Sequence, residues 1–432
     1  MEIYLALGIF AVSFAFIAFE VFDKSLVALF GALLMVILGV LTPEEAIDAI
    51  EFETILLLLG MMILVHIASK SGIFEWLNVR IASFTKGNPL FIFLFFSILT
   101  AVLSAFLDNV TTVILIVPLT IELVRGMGKD PKPYIMAEIF FSNIGGALTL
   151  IGDPPNIIIG GATGFSFLDF IINLWVPILA VAIFTMLVFG IWYWKKLKPI
   201  SDNLIELFTA NIIIKKIKHD FVKTTIHKDF VIKVVAVLVL TVIGFLMQHQ
   251  LGLPNYVIAF TAAIALGLIT AKRHSIHDSF KNVEWTTLFF FAGLFIMVAG
   301  VEKTGILEAL SEYVAHSTSN VFFLALIVLW VSGIVSMILD NIPFVTVMIP
   351  VIMGIQAELG GSDISILWWA LSLGACLGGN GTIVGASANV ISIDIAKKKG
   401  TSISFIEYLK FSLPVTLGIL VICSVYLFFK IN

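Results

Sequence analysis

The sequence predicts an all-α integral membrane protein of two inverted repeats. Each repeat has five transmembrane helices and one re-entrant hairpin, with a helix broken at the membrane midplane. Three observations predict it. The 432 residues are 60% hydrophobic and 12% charged, against ~45–50% apolar and ~25% charged in a soluble domain. Polar residues recur at near-constant spacing through both halves. Each half also carries an Asp-Asn pair and a glycine-rich run inside an apolar stretch.

Spans of the ~20 apolar residues that a membrane helix needs fall near 3–22, 25–41, 52–69, 133–160 and 167–194. A second set falls near 229–247, 254–271, 284–301, 366–395 and 405–429. The stretch 195–228 is too polar to cross, so the chain divides into a first repeat at 1–194, a cytoplasmic linker at 195–228 and a second repeat at 229–432. The opening Met1-Glu2-Ile3 has no basic region before the apolar run, so 3–22 reads as a span rather than a removable signal. With the N-terminus outside, alternation puts 23 of the 25 Lys and Arg residues in inside loops and leaves only Lys303 and Lys430 outside. That bias is what the positive-inside rule requires. The expectation is a multi-pass protein of the plasma membrane with both termini outside. A net charge of −4 leaves no basic field for nucleic acid. Cys376 and Cys423 lie far apart in apolar runs, which excludes a disulfide framework and a cysteine-rich metal site.

The duplication shows in polar residues, which apolar bias alone does not align. Ser104-Ala-Phe-Leu-Asp-Asn109 recurs as Ser336-Met-Ile-Leu-Asp-Asn341, 232 residues on, and Pro118 recurs as Pro350. Gly145, Gly146, Thr149, Gly152 and Asn156 recur as Gly378, Gly379, Thr382, Gly385 and Asn389, 233 residues on. Gly60 matches Gly293, and Ser71-Gly72-Ile73 matches Thr304-Gly305-Ile306. Five spans per half is an odd number, so the second half enters the membrane upside down. Secondary transporters built this way place their sites at the repeat interface near the midplane.

Two apolar segments, about 90–123 and 320–356, are interrupted by polar tips. In the first, Asp108, Asn109, Thr111 and Thr112 follow an apolar arm, and the second arm, Val113 to Val124, reaches only ~18 Å at ~1.5 Å per residue. Both flanks, Lys86 and Arg125, lie inside, so the segment reads as a re-entrant hairpin. Its counterpart, with Asp340, Asn341 and Thr346 at the tip, enters from outside. One Asp in a span can be a helix cap; the same Asp-Asn pair at both tips marks a functional site, since an ionisable residue in a membrane is costly.

The spans 133–160 and 366–395 must unwind. The first holds Gly145-Gly146 and Gly152-Asp153-Pro154-Pro155-Asn156, and the second holds Gly378-Gly379-Asn380-Gly381-Thr382, Gly385 and Asn389. Proline lacks a donor and glycine weakens a helix. Carbonyls freed at membrane depth are tolerated only in a protein interior or a wet cavity, where they can ligate a hard cation. The halves differ at one place: Asp153 corresponds to Ala386. No Lys or Arg lies in the central part of any span, so the expected site consists of amides, hydroxyls, carbonyls and the carboxyls Asp108, Asp153 and Asp340. It favours a cation, a proton or a neutral polar solute; a multivalent anion would need co-bound cations. Na⁺ at Asp108/Asn109 and at Asp340/Asn341, completed by broken-helix carbonyls, is the expected metal occupancy.

The hairpin Ser104–Thr112, the broken helix Asn143–Asn156 and the run Gly374–Asn389 resemble the ion transporter superfamily. Within it they are similar to the ArsB/NhaD branch and its P-protein-like permeases, with a citrate-transporter-like domain. The resemblance covers essentially the whole chain. It implies a scaffold domain, a mobile transport domain carrying both hairpins, an elevator mechanism and a homodimer in the lipid bilayer. Dicarboxylate transporters of the superfamily carry Ser-Asn-Thr at their tips where this chain has Asp108-Asn109-Val110 and Asp340-Asn341-Ile342. The arsenite pumps have a different broken-helix sequence from Gly152–Asn156, and Cys376 in its apolar setting reads as packing rather than an arsenite ligand.

The expected function is secondary active transport of a small ion, by cation/proton antiport or proton-linked arsenite or antimonite efflux, with Na⁺ or H⁺ as coupling ion and no other cofactor. The alternative is a sodium-coupled permease for citrate- or dicarboxylate-type anions. An enzyme is not expected: His66 is the one histidine within a span, and no nucleophile–base pair or His-Glu-x-x-His run occurs. No Gly-x-x-x-x-Gly-Lys loop occurs either, so an arsenite pump would need a soluble ATPase partner.

Overall fold

The two halves fold into matching runs of helices. The computed structural model describes residues 2–18, 22–85, 88–197, 227–318, 320–359 and 364–431. The first run is α1 Glu2–Ala18, α2 Lys24–Ile37, α3 Phe52–Lys70, α4 Ile73–Thr85, α5 Pro89–Ser104, α6 Asn109–Gly126, α7 Lys132–Gly146, α8 Pro154–Thr163 and α9 Phe167–Trp192. The second is α10 Lys228–Leu246, α11 Asn255–Thr270, α12 Trp285–Glu302, α13 Ile306–Ser317, α14 Val321–Ile338, α15 Asn341–Glu358, α16 Ser365–Gly378, α17 Ser387–Lys398 and α18 Phe405–Ile431. Among the described residues eight helices are long and apolar enough to cross a membrane, and α1, α2, α5 and α11 are shorter apolar helices. The chain is an all-α membrane protein. Most of the linker predicted at 195–228 lies outside the described residues.

The repeated sequence signals become repeated local structures. Ser71 and Thr304 each donate a hydroxyl to a carbonyl three residues back, and Gly72 and Gly305 turn the chain with φ of 78° and 74°. Those values lie in the left-handed region that glycine enters without strain. Asn88 and Asn320 cap α5 and α14 by accepting from the backbone N–H groups two and three residues on, as a helix start requires.

The halves interlock rather than sit side by side. α2 of the first repeat packs on α12 of the second, and α11 packs on α3. The glycine pair noted in sequence makes these contacts: a Cβ on Gly60 would lie 2.9 Å from the Phe260 nitrogen, and one on Gly293 would lie 2.6 Å from the Ala28 carbonyl carbon. These helices, with α1 and α10, form one group. The hairpins α5–α6 and α14–α15 and the broken helices α7–α8 and α16–α17 form the other, with α6 against α17 and α8 against α15. Loops that the span alternation assigns to one face pair with one another: Lys303 with Glu45 at 2.6 Å, Lys132 with Glu407 at 2.8 Å, and Lys196 with Asp130 at 2.7 Å. Lys303 holds the exposed Glu45 carboxyl below its ordinary range, helped by the Thr42 backbone N–H.

Three expectations need correction. The second arm of the first hairpin is not 12 residues from Val113 but the 18-residue α6 from Asn109. Asp108 accepts from the Thr111 N–H and so turns the polar tip into the first turn of the helix. A short arm is therefore not what defines the hairpin; what defines it is that both tips reach one central cavity. Next, α4 and α13 stand where only loops are expected. Both are amphipathic: α13 buries Leu307, Ser311 and Ala315, four residues apart, and exposes Glu308, Glu312 and Tyr313. Finally, α2 ends at Ile37, four residues short of the end of the predicted span 25–41. At ~1.5 Å per residue the 14-residue α2 covers ~21 Å, short of a ~30 Å membrane core.

The closest packing should be the least tolerant. A Cβ on Gly145 would collide with the Ala101 backbone and one on Gly378 with the Gly333 backbone, whereas Gly190 has open space. Gly145→Ala and Gly378→Ala should each lower stability by ~1–3 kcal/mol, as overpacking does, and Gly190→Ala should not. Thermal unfolding in detergent checks this; equal melting temperatures for the three variants would contradict the packing.

Candidate functional site

The site begins with the broken helices. α7 ends at Gly146 and α8 begins at Pro154; α16 ends at Gly378 and, after two short 3-10 turns, α17 begins at Ser387. The carbonyls this frees are met by asparagine. Asn156 Nδ2 donates to the carbonyls of Ala147 and Thr149 at 3.1 and 2.9 Å, and Asn389 Nδ2 donates to those of Gly379 and Thr382 at 2.7 and 2.8 Å. Hydroxyls tie each break to the neighbouring hairpin. Thr149 donates to the Ala105 carbonyl and Thr382 to that of Met337, each at 2.5 Å; Ser104 and Ser336 donate to the carbonyls of Ser142 and Ala375, each at 2.6 Å. Glycine lets the backbones approach: a Cβ on Gly152 would sit 2.6 Å from the Ser104 oxygen, and one on Gly385 2.8 Å from the Ser336 oxygen. Gly146 and Gly379 face the Gly152 and Gly385 carbonyls in the same way. Twelve sequence-predicted residues, Ser104, Gly145, Gly146, Thr149, Gly152, Asn156 and their six counterparts, thus shape the site without lining it.

Predicted residues that do line it are Asp108, Asn109, Thr111, Asp153, Asp340 and Asn341, around a cavity of about 360 Å³. Four helices point their N-termini at it, since Asn109, Asn341, Pro154 and Ser387 all stand on its wall. Each such end carries about half a positive charge, and three of the four cap positions hold a carboxylate: Asp108, Asp340 and Asp153. The fourth is Ala386. Asp108 uses both oxygens on Thr111, accepting from its N–H at 2.7 Å and its hydroxyl at 2.5 Å. Asp153 differs. Its Oδ1 accepts from Asn109 Nδ2 at 3.2 Å, while Oδ2 is buried and makes no hydrogen bond of ordinary geometry, with the Cys376 thiol and the Asn341 side chain beside the carboxyl. Thr112 and Asn380, both predicted, are buried too, and each keeps one polar atom without a partner.

Several groups at the site were not expected. Asn143 is buried behind the cavity wall: Nδ2 donates to the Oδ1 atoms of Asn380 and Asn389 at 2.9 and 3.0 Å, and its own Oδ1 accepts from Asn109 at 3.3 Å. It joins the two repeats, and its signal in the sequence is an amide that the repeat replaces with Cys376. The Cys376 thiol instead donates to Asn156 Oδ1 at 3.6 Å, beside the Ser372 hydroxyl at 2.6 Å. The expectation of a site without a basic group is corrected. Lys24, at the start of α2, lines the cavity and its Nζ lies 2.8 Å from Asp340 Oδ2. The start of α2 therefore reaches the second hairpin tip. His66 and Ser69 from α3, Glu284 just before α12 and Thr287 on it also stand on the wall. A further carboxyl, Glu138 on α7, is buried off the cavity with the Thr120 hydroxyl 2.5 Å from Oε1.

Residues 14–374 match the citrate transporter family model. The chain belongs to the citrate transporter family. The "46 kDa membrane protein" of Mycobacterium leprae is 36% identical over 432 residues, covering 99% of this chain and 98% of its own. "Uncharacterized transporter Rv2684" of Mycobacterium tuberculosis is 35% identical over 431 residues, 98% of each chain. The P protein of Homo sapiens is 31% identical over 488 residues, covering 96% of this chain and 58% of the P protein. Among solved structures, the YdaH transporter of Alcanivorax borkumensis superposes with a TM-score of 0.58 at 17% identity, over 88% of this chain and 86% of that one, and so shares the fold. This member of the citrate transporter family is a membrane transporter and not an enzyme, as its family and named relatives are.

Asn caps a helix as well as Asp, whereas Ala loses ~1 kcal/mol. Asp108→Asn should therefore melt with the wild type and still impair coupled transport, while Asp108→Ala should lose stability as well. Asp340→Asn should impair transport likewise. Thermal unfolding paired with flux in liposomes checks this; wild-type flux in both Asn variants would remove the two aspartates from the mechanism.

Proposed function

We propose that this transporter exchanges a small cation for protons, with Asp153 as the group that both compete for. The observation that carries the proposal is Asp153, a buried carboxyl on the wall of the central cavity with no basic side chain paired to it among the described residues. Its Oδ2 makes no hydrogen bond of ordinary geometry and has the neutral Cys376 thiol and Asn341 side chain beside it. A carboxylate left unpaired in such a place is costly, and a proton or a cation relieves that cost. Asp108, Asp340 and Glu284 line the same cavity against one lysine, so the balance of charged side chains is acidic even with four helix ends contributing. The cavity is lined both by α2, α3 and α12 and by the hairpin tips and broken helices. A site on that boundary changes sides when one helix group slides against the other, which is an elevator movement.

A sodium-coupled permease for a citrate-type anion is the second reading. The family description and Lys24 favour it. Three aspartates among the cap positions weigh against it, because they fill the helix ends that would hold a carboxylate substrate. Arsenite or antimonite efflux has less support: the Cys376 thiol is buried between Asn156 and Asp153 and does not line the cavity.

In proteoliposomes with imposed Na⁺, K⁺ or Li⁺ gradients, the proposal expects proton counterflow. Apparent cation affinity should weaken as pH falls, because protons then occupy the shared carboxyl. Asp153→Asn should flatten that dependence and Ala386→Ser should not. An affinity unchanged between about pH 5 and 9 would exclude competition, and citrate uptake driven by Na⁺ without proton counterflow would put the second reading first. For the proposed plasma-membrane orientation, cysteines at the exposed Glu44 and Glu312 should be labelled from outside and one at Ser275 only from inside. Labelling of Ser275 in intact cells would reverse the orientation.

A further inference from the structure

The two repeats offer two capped hairpin tips, yet the tips are not in equivalent states. Asp108 holds both oxygens against Thr111, and among the described residues no basic side chain pairs with it. Asp340 is held differently: Oδ1 receives only the Ile342 N–H at 3.4 Å, and Oδ2 meets Lys24 Nζ at 2.8 Å. Lys24 does not belong to the hairpin. It sits on α2, in the interlocked helix group, over the Phe290 ring of α12 at 5.4 Å and beside Glu284. In the first repeat α2 meets α12 at Ala28, and α11 meets α3 at Ala259 and Phe260. Carried across by that match, the place of Lys24 at the start of α2 is held by Asn255 at the start of α11, a neutral residue. The ion pair also borders two spaces at once. Lys24, Asp340, Ser387 and Ile391 line both the central cavity and a second one of about 440 Å³ beside α1. Both partners keep partial exposure, 37% for the lysine and 20% for the aspartate side chain, so ions can reach them.

We propose that Lys24 is a tethered cation: its ammonium fills the second-repeat cation site at Asp340 and leaves one site, in the first repeat, for a mobile cation. This rests on the reading of the cavity as a cation site. A fixed charge on one helix group that neutralises a carboxyl on the other does the work of a bound ion without being transported. It sets the number of mobile cations at one per chain. Because the pair joins the two helix groups, it also has to break whenever one slides against the other. Removing the ammonium while keeping its bulk should uncover Asp340 as a second mobile site.

The test is Na⁺ titration of the purified full chain in detergent, by calorimetry and by Na⁺-induced thermal stabilisation, on wild type, Lys24→Met, Lys24→Arg and Lys24→Met with Asp340→Asn. One Na⁺ should bind to wild type and to Lys24→Arg, two to Lys24→Met, and one to the double variant. Losing a competing ammonium should also tighten the apparent Na⁺ affinity of Lys24→Met by about three- to tenfold, the scale of a partly exposed ion pair. One Na⁺ with wild-type affinity in a folded Lys24→Met overturns the inference and leaves the cation reading intact. No Na⁺ in wild type but one in Lys24→Met overturns the first-repeat site and keeps the inference. No Na⁺ in any variant overturns both. Should Lys24→Met fail to fold, a Lys24→Arg protein that binds two Na⁺ equally contradicts the tethered-cation role.

Discussion

Backbone carbonyls released inside a membrane must find donors, and the rest of this structure follows from how Asn156 and Asn389 supply them. Each asparagine donates both amide hydrogens to two carbonyls freed by its own broken helix. Unsatisfied, those carbonyls would each cost several kcal/mol in hydrocarbon. With the breaks held open, four helix starts are aimed at one place, and their positive ends attract carboxylates. Three aspartates accept that position. Asp108 is satisfied by its own helix turn and Asp340 by Lys24, while Asp153 keeps one oxygen without a hydrogen bond of ordinary geometry. The chemistry of the site therefore comes from backbone geometry first and from side chains second.

The asymmetry between the repeats carries the functional meaning. Symmetry accounts for the architecture: serines and threonines tie hairpin to break in both halves with the same distances. The departures fall on residues of the two broken helices, on the cavity wall or just behind it. Asn143 stands against Cys376, Asp153 against Ala386, and Asn380 against Ala147. Asn143 and Asn380 bond to each other across the repeat boundary. The two-fold scaffold thus has an unequal centre, and the Asp153 carboxyl, whose Oδ2 makes no hydrogen bond of ordinary geometry, belongs to the first repeat.

Much of this was legible in the sequence because packing imposes strict residue types. Gly145, Gly152, Gly378 and Gly385 recur because a Cβ there would strike backbone, and Thr149 and Thr382 recur because each satisfies a hairpin carbonyl. The same fact limits what repetition reveals: these residues build the site's walls and do not line it. What the sequence hid arises from contacts between distant segments. Lys24 and Asp340 are 316 residues apart, and nothing near Lys24 in the chain marks it as part of a site. The length of α6 was hidden as well, since a cap by Asp108 converts a polar tip into helix. Helices α4 and α13 escaped because an amphipathic stripe at the edge of a span does not raise hydropathy enough to stand out.

The central claim is that one carboxyl, Asp153, is shared between cation and proton. A cation that displaces a proton from its ligand must release it to the solvent. The most direct measurement is therefore the proton count on Na⁺ binding, from calorimetry of the purified protein in buffers of different ionisation enthalpy. The account predicts a release approaching one proton per Na⁺ on the acid side of the binding range, falling to none as pH rises, and no release in Asp153→Asn. Na⁺ binding with no proton released at any pH, or an unchanged release in Asp153→Asn, would contradict it.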